Sequence, residues 1–345
     1  TGNISEIYLT NAKRFPELNL VACADINPAA AAAKAEAHGL TAMTPEALLA
    51  DPGIEVVLNL TTPQHHVPVG LQVLAAGKHL YAEKPLAISF ADGLRLTNAA
   101  TAAGLRIGSA PDTFLGGSHQ TARAALDAGA IGAPRAGSCT MMVPGHELWH
   151  PNPDFYYATG GGPMLDMGPY YLTCLVNLLG PVASVMGSHR AATTTRTIAS
   201  GPRAGEVVPV TVPTHISGIL DFVAGPQVTI TTSFDVWKHD HNHIEIYGDT
   251  GSMIVPDPNR FDGTVMLAEG KGDWHALPMT HDFGADNWRI LGLADMARGL
   301  REDRPHRANG ALALHVLEVM EAITLSGTEG RRREITTRCE RPEGM

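Results

Sequence analysis

The chain has 345 residues, 44 % of them hydrophobic and 17 % charged, with a formal net charge of −10. That length suits two domains with a sizeable core, and the acidic balance argues against nucleic acid, whose binding wants a basic face. The four cysteines, Cys23, Cys139, Cys174 and Cys339, form no metal or redox spacing, and neither a secretory signal nor an apolar run of transmembrane length is read; the expectation is a cytoplasmic protein with reduced thiols and no membrane partner.

The opening Thr1-Gly2-Asn3-Ile4-Ser5 looks like the middle of a motif, so a strand and a further glycine are expected ahead of it. Residues 3–15 carry apolar positions at Ile4, Ile7, Tyr8 and Leu9, a helix closed before Pro16. Leu18 to Ile26 reads as a strand ending in Ala24-Asp25-Ile26. Asn27 is an N-cap, Pro28 fits the first helical position, and an alanine-rich helix runs to Gly39. Thr44-Pro45 starts a short helix by the same logic. Ile54 to Leu60 is a strand that breaks into Thr61-Thr62-Pro63, about Pro68 to Ala76 is helical, and His79 to Ala82 is the next strand. Such alternation implies right-handed βαβ units and a parallel sheet.

Two features of this first third point to a dinucleotide. A glycine before the first helix lets backbone amides approach a pyrophosphate, and Gly2, Asn3 and Ile4 occupy that place. An acidic residue about twenty positions on takes ribose hydroxyls, and Asp25, followed by Ile26, stands at a strand end at a fitting distance. Its carboxylate would repel a 2′-phosphate, so NAD is favoured over NADP; the plain alternative is a turn residue. The run His79-Leu80-Tyr81-Ala82-Glu83-Lys84-Pro85-Leu86 puts an ammonium at a strand end, where α/β folds bind ligands. By itself it could equally be an exposed loop lysine.

Residues 86–104 read as a helix and Leu105–Ala110 as a strand, closed by Pro111-Asp112-Thr113-Phe114 on the same sheet edge. Gly116 to Ala128 is helical and Arg135 to Val143 a strand. The loop from Pro144 to Gly162 holds Asp154 and the polar aromatics His146, Trp149, His150, Tyr156 and Tyr157, which suit a polyol or, more plainly, a packed loop. It feeds a helix from Pro163 to Gly180, on which Asp166 and Tyr170 share one face, with a kink expected at Pro169.

Ile216–Val223 and Val228–Trp237 flank a turn, as do Ile244–Tyr247 and Ser252–Val255, giving hairpins with one face packed and one semi-polar. His239, His241 and His243 would share a strand face, but a turn between strands is the preferred reading and no metal is expected. Asp286-Asn287-Trp288-Arg289 opens a helix reaching Leu300, and residues 310–326 form another with His315 towards the pocket. The tail from Thr328 reads as a closing strand and a frayed end.

The ordered set Gly2-Asn3-Ile4-Ser5, Ala22-Cys23-Ala24-Asp25, Thr61-Thr62-Pro63 with His66, Ala82-Glu83-Lys84-Pro85, Gly160-Gly161-Gly162-Pro163-Met164-Leu165-Asp166-Met167-Gly168 and Ile244-Glu245-Ile246-Tyr247-Gly248 resembles the Gfo/Idh/MocA oxidoreductases, named for glucose–fructose oxidoreductase and inositol dehydrogenase. The resemblance implies an α/β chain: an N-terminal Rossmann domain, placed at 1–118, and a C-terminal α/β domain with a large, mostly antiparallel open sheet, placed at 119–345. It implies NAD held by Gly2, Asn3, Ile4, Asp25, Ile26, Thr61, Thr62, Pro63, His66, Glu83 and Lys84, and a carbohydrate-like substrate met by Asp112, Phe114, His150, Tyr156, Tyr157 and Asp166. Relatives pair through the open sheet face, so a homodimer or homotetramer is expected.

Catalysis falls by the same resemblance to Lys84, Asp166 and Tyr170. In the family the position four after the aspartate usually carries histidine, and here it is Tyr170. Oxidising a secondary alcohol needs a base within hydrogen-bond reach of the hydroxyl. Either Tyr170, tuned by Lys84 and positioned with it by Asp166, or Lys84 itself carries the proton. Three functions follow: an NAD-dependent dehydrogenase of a sugar, cyclitol or related polyol; a redox-assisted glycosidase or lyase that keeps its NAD; or a silent NAD-binding regulator.

Overall fold

The computed structural model describes Thr1–Met345. Its chain contacts group into two units, Thr1–Asp112 with Asn287–Leu314, and Thr113–Asp286 with His315–Met345. The expected division into consecutive stretches at residue 118 does not include this return of residues 287–314 to the first unit.

The first unit alternates helix and strand: α1 (Ser5–Ala12), β1 (Ala22–Ala24), α2 (Pro28–His38), β2 (Thr41–Met43), α3 (Pro45–Ala50), β3 (Val56–Asn59), α4 (Pro63–Ala75), β4 (His79–Ala82), α5 (Phe90–Ala103) and β5 (Ile107–Ser109). All strand pairs are parallel, in two ladders, β1–β2 and β3–β4–β5. Local chemistry sets the helix ends. Asn27 Oδ1 accepts the N–H groups of Ala29 and Ala30 ahead of α2, Thr44 Oγ1 that of Ala47 in α3, and Ser89 Oγ that of Asp92 in α5. Helix α4 begins at Pro63, five residues before the expected start, because Thr62-Pro63 already supplies a helix N-terminus; Pro68 then forfeits one intrahelical bond in the second turn. The expected strand Leu18–Ile26 shrinks to three residues, the length over which β2 pairs with it.

The returning segment is tied down by buried polar groups. Asp112 Oδ2 accepts the N–H groups of Ile290 and Gly292, both at 2.9 Å, at the head of α9 (Leu291–Glu302). A Cβ on Gly292 would lie 2.1 Å from the Tyr81 hydroxyl, so only glycine fits there. Asp295, itself buried, accepts from Arg307 Nη1 at 2.6 Å and from the Arg307 N–H at 2.7 Å.

The second unit carries α6 (Gly117–Asp127), β6 (Pro134–Met142), α7 (Asp154–Tyr157), α8 (Pro163–Leu179), β7 (Val182–Arg190), β8 (Thr195–Thr197), β9 (Val207–Pro209), β10 (His215–Phe222), β11 (Gln227–Ser233), β12 (Ile244–Gly248), β13 (Gly251–Val255), β14 (Met266–Glu269), β15 (His275–Ala276) and β16 (Arg333–Glu334). Helix α10 (Gly310–Glu329) begins in the first unit and continues in the second. Nine strands form one sheet in the order β15-β14-β13-β12-β6-β11-β10-β7-β16, antiparallel except where β11 runs parallel to β6. Alternate residues Val228 and Ile230 on β11 and Ile244 and Ile246 on β12 are buried on one face. The tail does close as a strand, β16 on β7.

Two expectations are corrected here. His315 faces no pocket: it is fully buried, its Nε2 accepting the Val182 N–H at 3.0 Å and its Nδ1 donating to Thr337 Oγ1 at 2.9 Å. Helix α10 is long and apolar enough to cross a membrane by length and composition, contrary to the reading of the sequence, but 67 % of its apolar stretch is buried inside the protein. It is a core helix because its apolar residues surround it rather than forming one stripe.

Candidate active site

In the first unit the expected cofactor residues stand where strands end and helices begin. Gly2, Asn3 and Ile4 are exposed ahead of α1, and a Cβ added at Gly2 would meet nothing within 4 Å. Ser5 closes the turn, its N–H and its hydroxyl both donating to the Gly2 carbonyl. Asp25 follows β1, with one carboxylate oxygen accepting the Thr1 hydroxyl at 2.6 Å and the other the Asn27 N–H at 2.9 Å. Ile26 beside it is 95 % exposed. At the end of β3, Asn59 accepts the N–H and hydroxyl of Thr61, leaving Thr61 and Thr62 at the surface and Pro63 half-buried.

Lys84 follows β4 directly and is half-buried; the Lys84–Pro85 peptide is cis. Its backbone N–H donates to Glu83 Oε2 at 2.8 Å, and the other oxygen of Glu83 accepts the Tyr8 hydroxyl at 2.6 Å. Burial, and then the nearby Glu83 charge, push the Tyr8 phenol well above its usual range, which keeps it a donor.

Two residues of the expected set lie beneath that edge rather than on it. His66 is 1 % exposed, and its ring nitrogens face the carbonyl oxygens of Pro85 (2.7 Å) and Thr61 (2.9 Å). It braces the loops after β3 and β4. Asp112 is likewise buried beneath the head of α9, and burial, opposed by the Gly292 N–H, raises its pKa to about 6.

In the second unit, Asp166 and Tyr170 lie on α8, with the Asp166 side chain 17 % and Tyr170 7 % exposed. The glycine run ahead of α8 is a packing requirement: a Cβ on Gly161 would sit 2.2 Å from the Phe155 carbonyl, and Gly162 turns into the helix at φ +86°. The stretch expected as a loop instead contains a 3₁₀ turn at His146–Leu148 and helix α7.

That turn delivers His146 to Asp166, with Nε2 3.3 Å from Oδ2. The His146 ring is boxed by Tyr156 (4.1 Å between centroids), Phe234 (4.4 Å) and Trp149 (5.4 Å). Behind it runs a buried ionic chain. The Tyr157 hydroxyl accepts the His146 N–H and donates to Glu147, which pairs with Arg196, which pairs with Asp235, which accepts the Thr214 hydroxyl.

The expected substrate residues divide accordingly. Tyr156 is partly exposed beside His146, and His150 is half-buried, its Nδ1 accepting the Asn152 N–H. Tyr157 and Phe114 are fully enclosed side chains and belong to the packing. His239 and His243 turn to different partners, the Met142 carbonyl and the Tyr171 hydroxyl.

Several participants went unread in the sequence. Tyr8 passed for one apolar position of a helix, although a buried phenol needs a partner. Arg196 and Asp235 lie in segments with no motif. His146 was one of five polar aromatics named in its loop, with nothing in the spacing to single it out.

The residues present fit a dinucleotide. The space in front of Gly2 is open, the first N–H groups of α1 lack intrahelical partners, and Asp25 offers a carboxylate at the neighbouring strand end.

Comparison with known proteins agrees with this arrangement. Residues 1–110 match the family model described as the oxidoreductase family, NAD-binding Rossmann fold, and residues 119–254 match the GFO/IDH/MocA C-terminal domain. The chain is 27 % identical over 243 residues to a 1,5-anhydro-D-fructose reductase of Ensifer adhaerens, covering 68 % of this chain and 67 % of that one. It is 26 % identical over 285 residues to an inositol 2-dehydrogenase of Rhizobium meliloti, covering 82 % and 80 %. In structure it is similar to an NAD-binding oxidoreductase from Klebsiella pneumoniae, with a TM-score of 0.84 at 22 % identity over 98 % and 97 % of the two chains. With the Rossmann strands, the open cradle at Gly2 and the large antiparallel sheet in place, the chain belongs to the Gfo/Idh/MocA family of NAD-binding oxidoreductases.

Proposed function

We propose that this oxidoreductase oxidises a secondary hydroxyl, or reduces the corresponding carbonyl, on a sugar, cyclitol or related polyol. The observation that carries the reading is the dressing of Asp166, an acceptor carboxylate backed by the His146 imidazole, whose ring in turn packs against Tyr156 and Trp149. Aromatic faces and charged acceptors are what a hydroxyl-rich, uncharged molecule needs. The anhydrofructose reductase and the inositol dehydrogenase are relatives whose names carry such substrates.

Bound NAD supplies the hydride acceptor. On this reading Gly2, Asn3 and Ile4 offer backbone N–H groups to its pyrophosphate, Asp25 takes the ribose hydroxyls, and Thr61, Thr62 and Pro63 line its path. Lys84 stabilises the substrate oxygen with its ammonium, held in place through the Glu83 carboxylate on its own N–H. Asp166 anchors a substrate hydroxyl and Tyr170 carries the proton, with Lys84 the other candidate for that step. His66 holds the two loops on which Thr61 and Lys84 stand, and Asp112 the head of α9.

The assay is incubation with NAD and a panel of neutral sugars and cyclitols, following NADH and product masses together. NADH growth with a ketone product supports the reading. Product without NADH would move the protein to redox-neutral elimination chemistry, and binding without product to a regulator. Tyr170→Phe with unaltered turnover and pH profile would remove the tyrosine from the proton step.

The open face of the nine-stranded sheet is our choice for self-association. Met186, Ile219, Thr229, Ser138, Glu245 and Ile254 are in register across five strand pairs, and Met186 is 45 % exposed. A homodimer or homotetramer would cover it in the cytoplasm. Light scattering of the wild type and of Met186→Arg with Thr229→Arg tests this; a wild-type monomer would refute it.

A further inference from the structure

The His146–Asp166 pair carries an observation that the catalytic assignment above does not use. His146 Nε2 lies 3.3 Å from Asp166 Oδ2, and the other ring nitrogen, Nδ1, is buried and has no hydrogen-bond partner. The hydrogen bond orients the ring: Nε2–H donates to the carboxylate, and in the neutral imidazole Nδ1 then keeps its lone pair. An acceptor buried without a donor is destabilising, because it has lost water and gained nothing in exchange. Such a group in a folded protein calls for a reason, and a ligand that brings the missing donor is one.

The surroundings define that ligand. Tyr156, Phe234 and Trp149 ring the imidazole, with Trp149 60 % exposed. The turn that carries His146 is held rigidly, because its N–H is taken by Tyr157 and a Cβ on Gly145 would lie 2.0 Å from the Glu147 carboxylate. The cation of this network, Arg196, is drawn away by Glu147 and Asp235. The cluster therefore offers a carboxylate and, on the ring nitrogen turned away from it, an acceptor of the neutral imidazole, within aromatic walls. It suits hydroxyl donors and disfavours a carboxylate or phosphate.

We propose that His146 is a substrate-binding residue whose Nδ1 accepts a hydroxyl of a neutral polyol, next to the hydroxyl anchored by Asp166, and that the pair selects uncharged substrates over their anionic counterparts. The inference rests on the polyol reading of the protein. It adds a contact and a selectivity that Lys84, Asp166 and Tyr170 do not by themselves require.

The test uses the full chain and two readouts. Binding of myo-inositol and D-glucose, and of myo-inositol 1-phosphate and D-gluconate as anionic counterparts, is measured by calorimetry and Trp emission; NAD binding is measured separately. Whichever neutral probe the wild type takes is then followed in His146→Phe, which keeps a ring but loses both nitrogens, and in His146→Gln, which keeps polar atoms. Loss of one hydrogen bond and release of Asp166 should weaken that probe about tenfold or more in His146→Phe, roughly 1.4 kcal/mol. His146→Gln should recover part of the loss, KM should rise more than kcat falls, and NAD affinity should hold. Wild-type polyol turnover with an unchanged KM in both variants overturns the role of His146 and leaves the polyol reading standing. Anionic probes bound as tightly as neutral ones overturn the selectivity. A wild type that takes no neutral polyol overturns the polyol reading and this inference with it.

Discussion

The Tyr8 hydroxyl donates to Glu83 at 2.6 Å, so the helix behind the Gly2 turn is fastened to the carboxylate that holds the backbone of Lys84. Both groups are buried. Tyr8→Phe removes the donor and leaves a carboxylate oxygen without its partner. The expected cost is about 1–3 kcal/mol of stability. A lowered unfolding midpoint together with weaker NAD binding in Tyr8→Phe is the outcome to look for; an unchanged NAD affinity would mean the fastening is structural only.

Asp25 is the proposed reader of the adenosine ribose. Its carboxylate repels a 2′-phosphate, and replacement by a small neutral residue removes that repulsion. Asp25→Ser is therefore expected to lose NAD affinity and to narrow the preference for NAD over NADP by at least tenfold. Kinetics with both nucleotides check this, and an unchanged ratio would return Asp25 to the role of a turn residue.

Arg196 stands between Glu147 and Asp235 with all three side chains at most 15 % exposed. Arg196→Met leaves two buried carboxylates without their cation. Breaking a buried pair in this way costs about 3–5 kcal/mol. Chemical denaturation should show that loss, and the loop that carries His146 should become protease-sensitive first. If Arg196→Met is as stable as the wild type, the chain of ion pairs does not hold the loop.

Burial lowers the pKa of both His306 and His315 to about 4. Unfolded histidine takes its proton near 6.5, so between about pH 6.5 and 4 the unfolded chain binds more protons than the native one. Stability therefore falls as pH drops through that window, by up to about 3 kcal/mol per residue. Asp112 acts the other way. Its pKa of about 6 lies above the unfolded value, so it contributes a gain as pH falls from about 6 to 4. Two histidines outweigh one carboxylate, and urea midpoints should decline from pH 7 to pH 5. His315→Gln should flatten the decline; a midpoint that rises on acidification would contradict the balance.

Several helix starts were legible because their causes are local. Asn27-Pro28, Thr44-Pro45 and Gly162-Pro163 fix φ or satisfy backbone N–H groups within a few residues, and the helices begin there. Strand β4 fell on His79–Ala82 as expected, and the glycine before α1 with Asp25 ahead of α2 were the grounds on which a dinucleotide was expected. What the tertiary structure alone decided are pairings across long separations: Tyr8 with Glu83, Asp112 with the head of α9, Arg196 with Asp235, His315 with Val182. No periodicity encodes them, because a buried polar atom takes whichever partner the packing brings within 3 Å. The same holds for His146. Its sequence neighbours made it one ring among several, and only the fold of the turn sets it against Asp166 with one nitrogen left over.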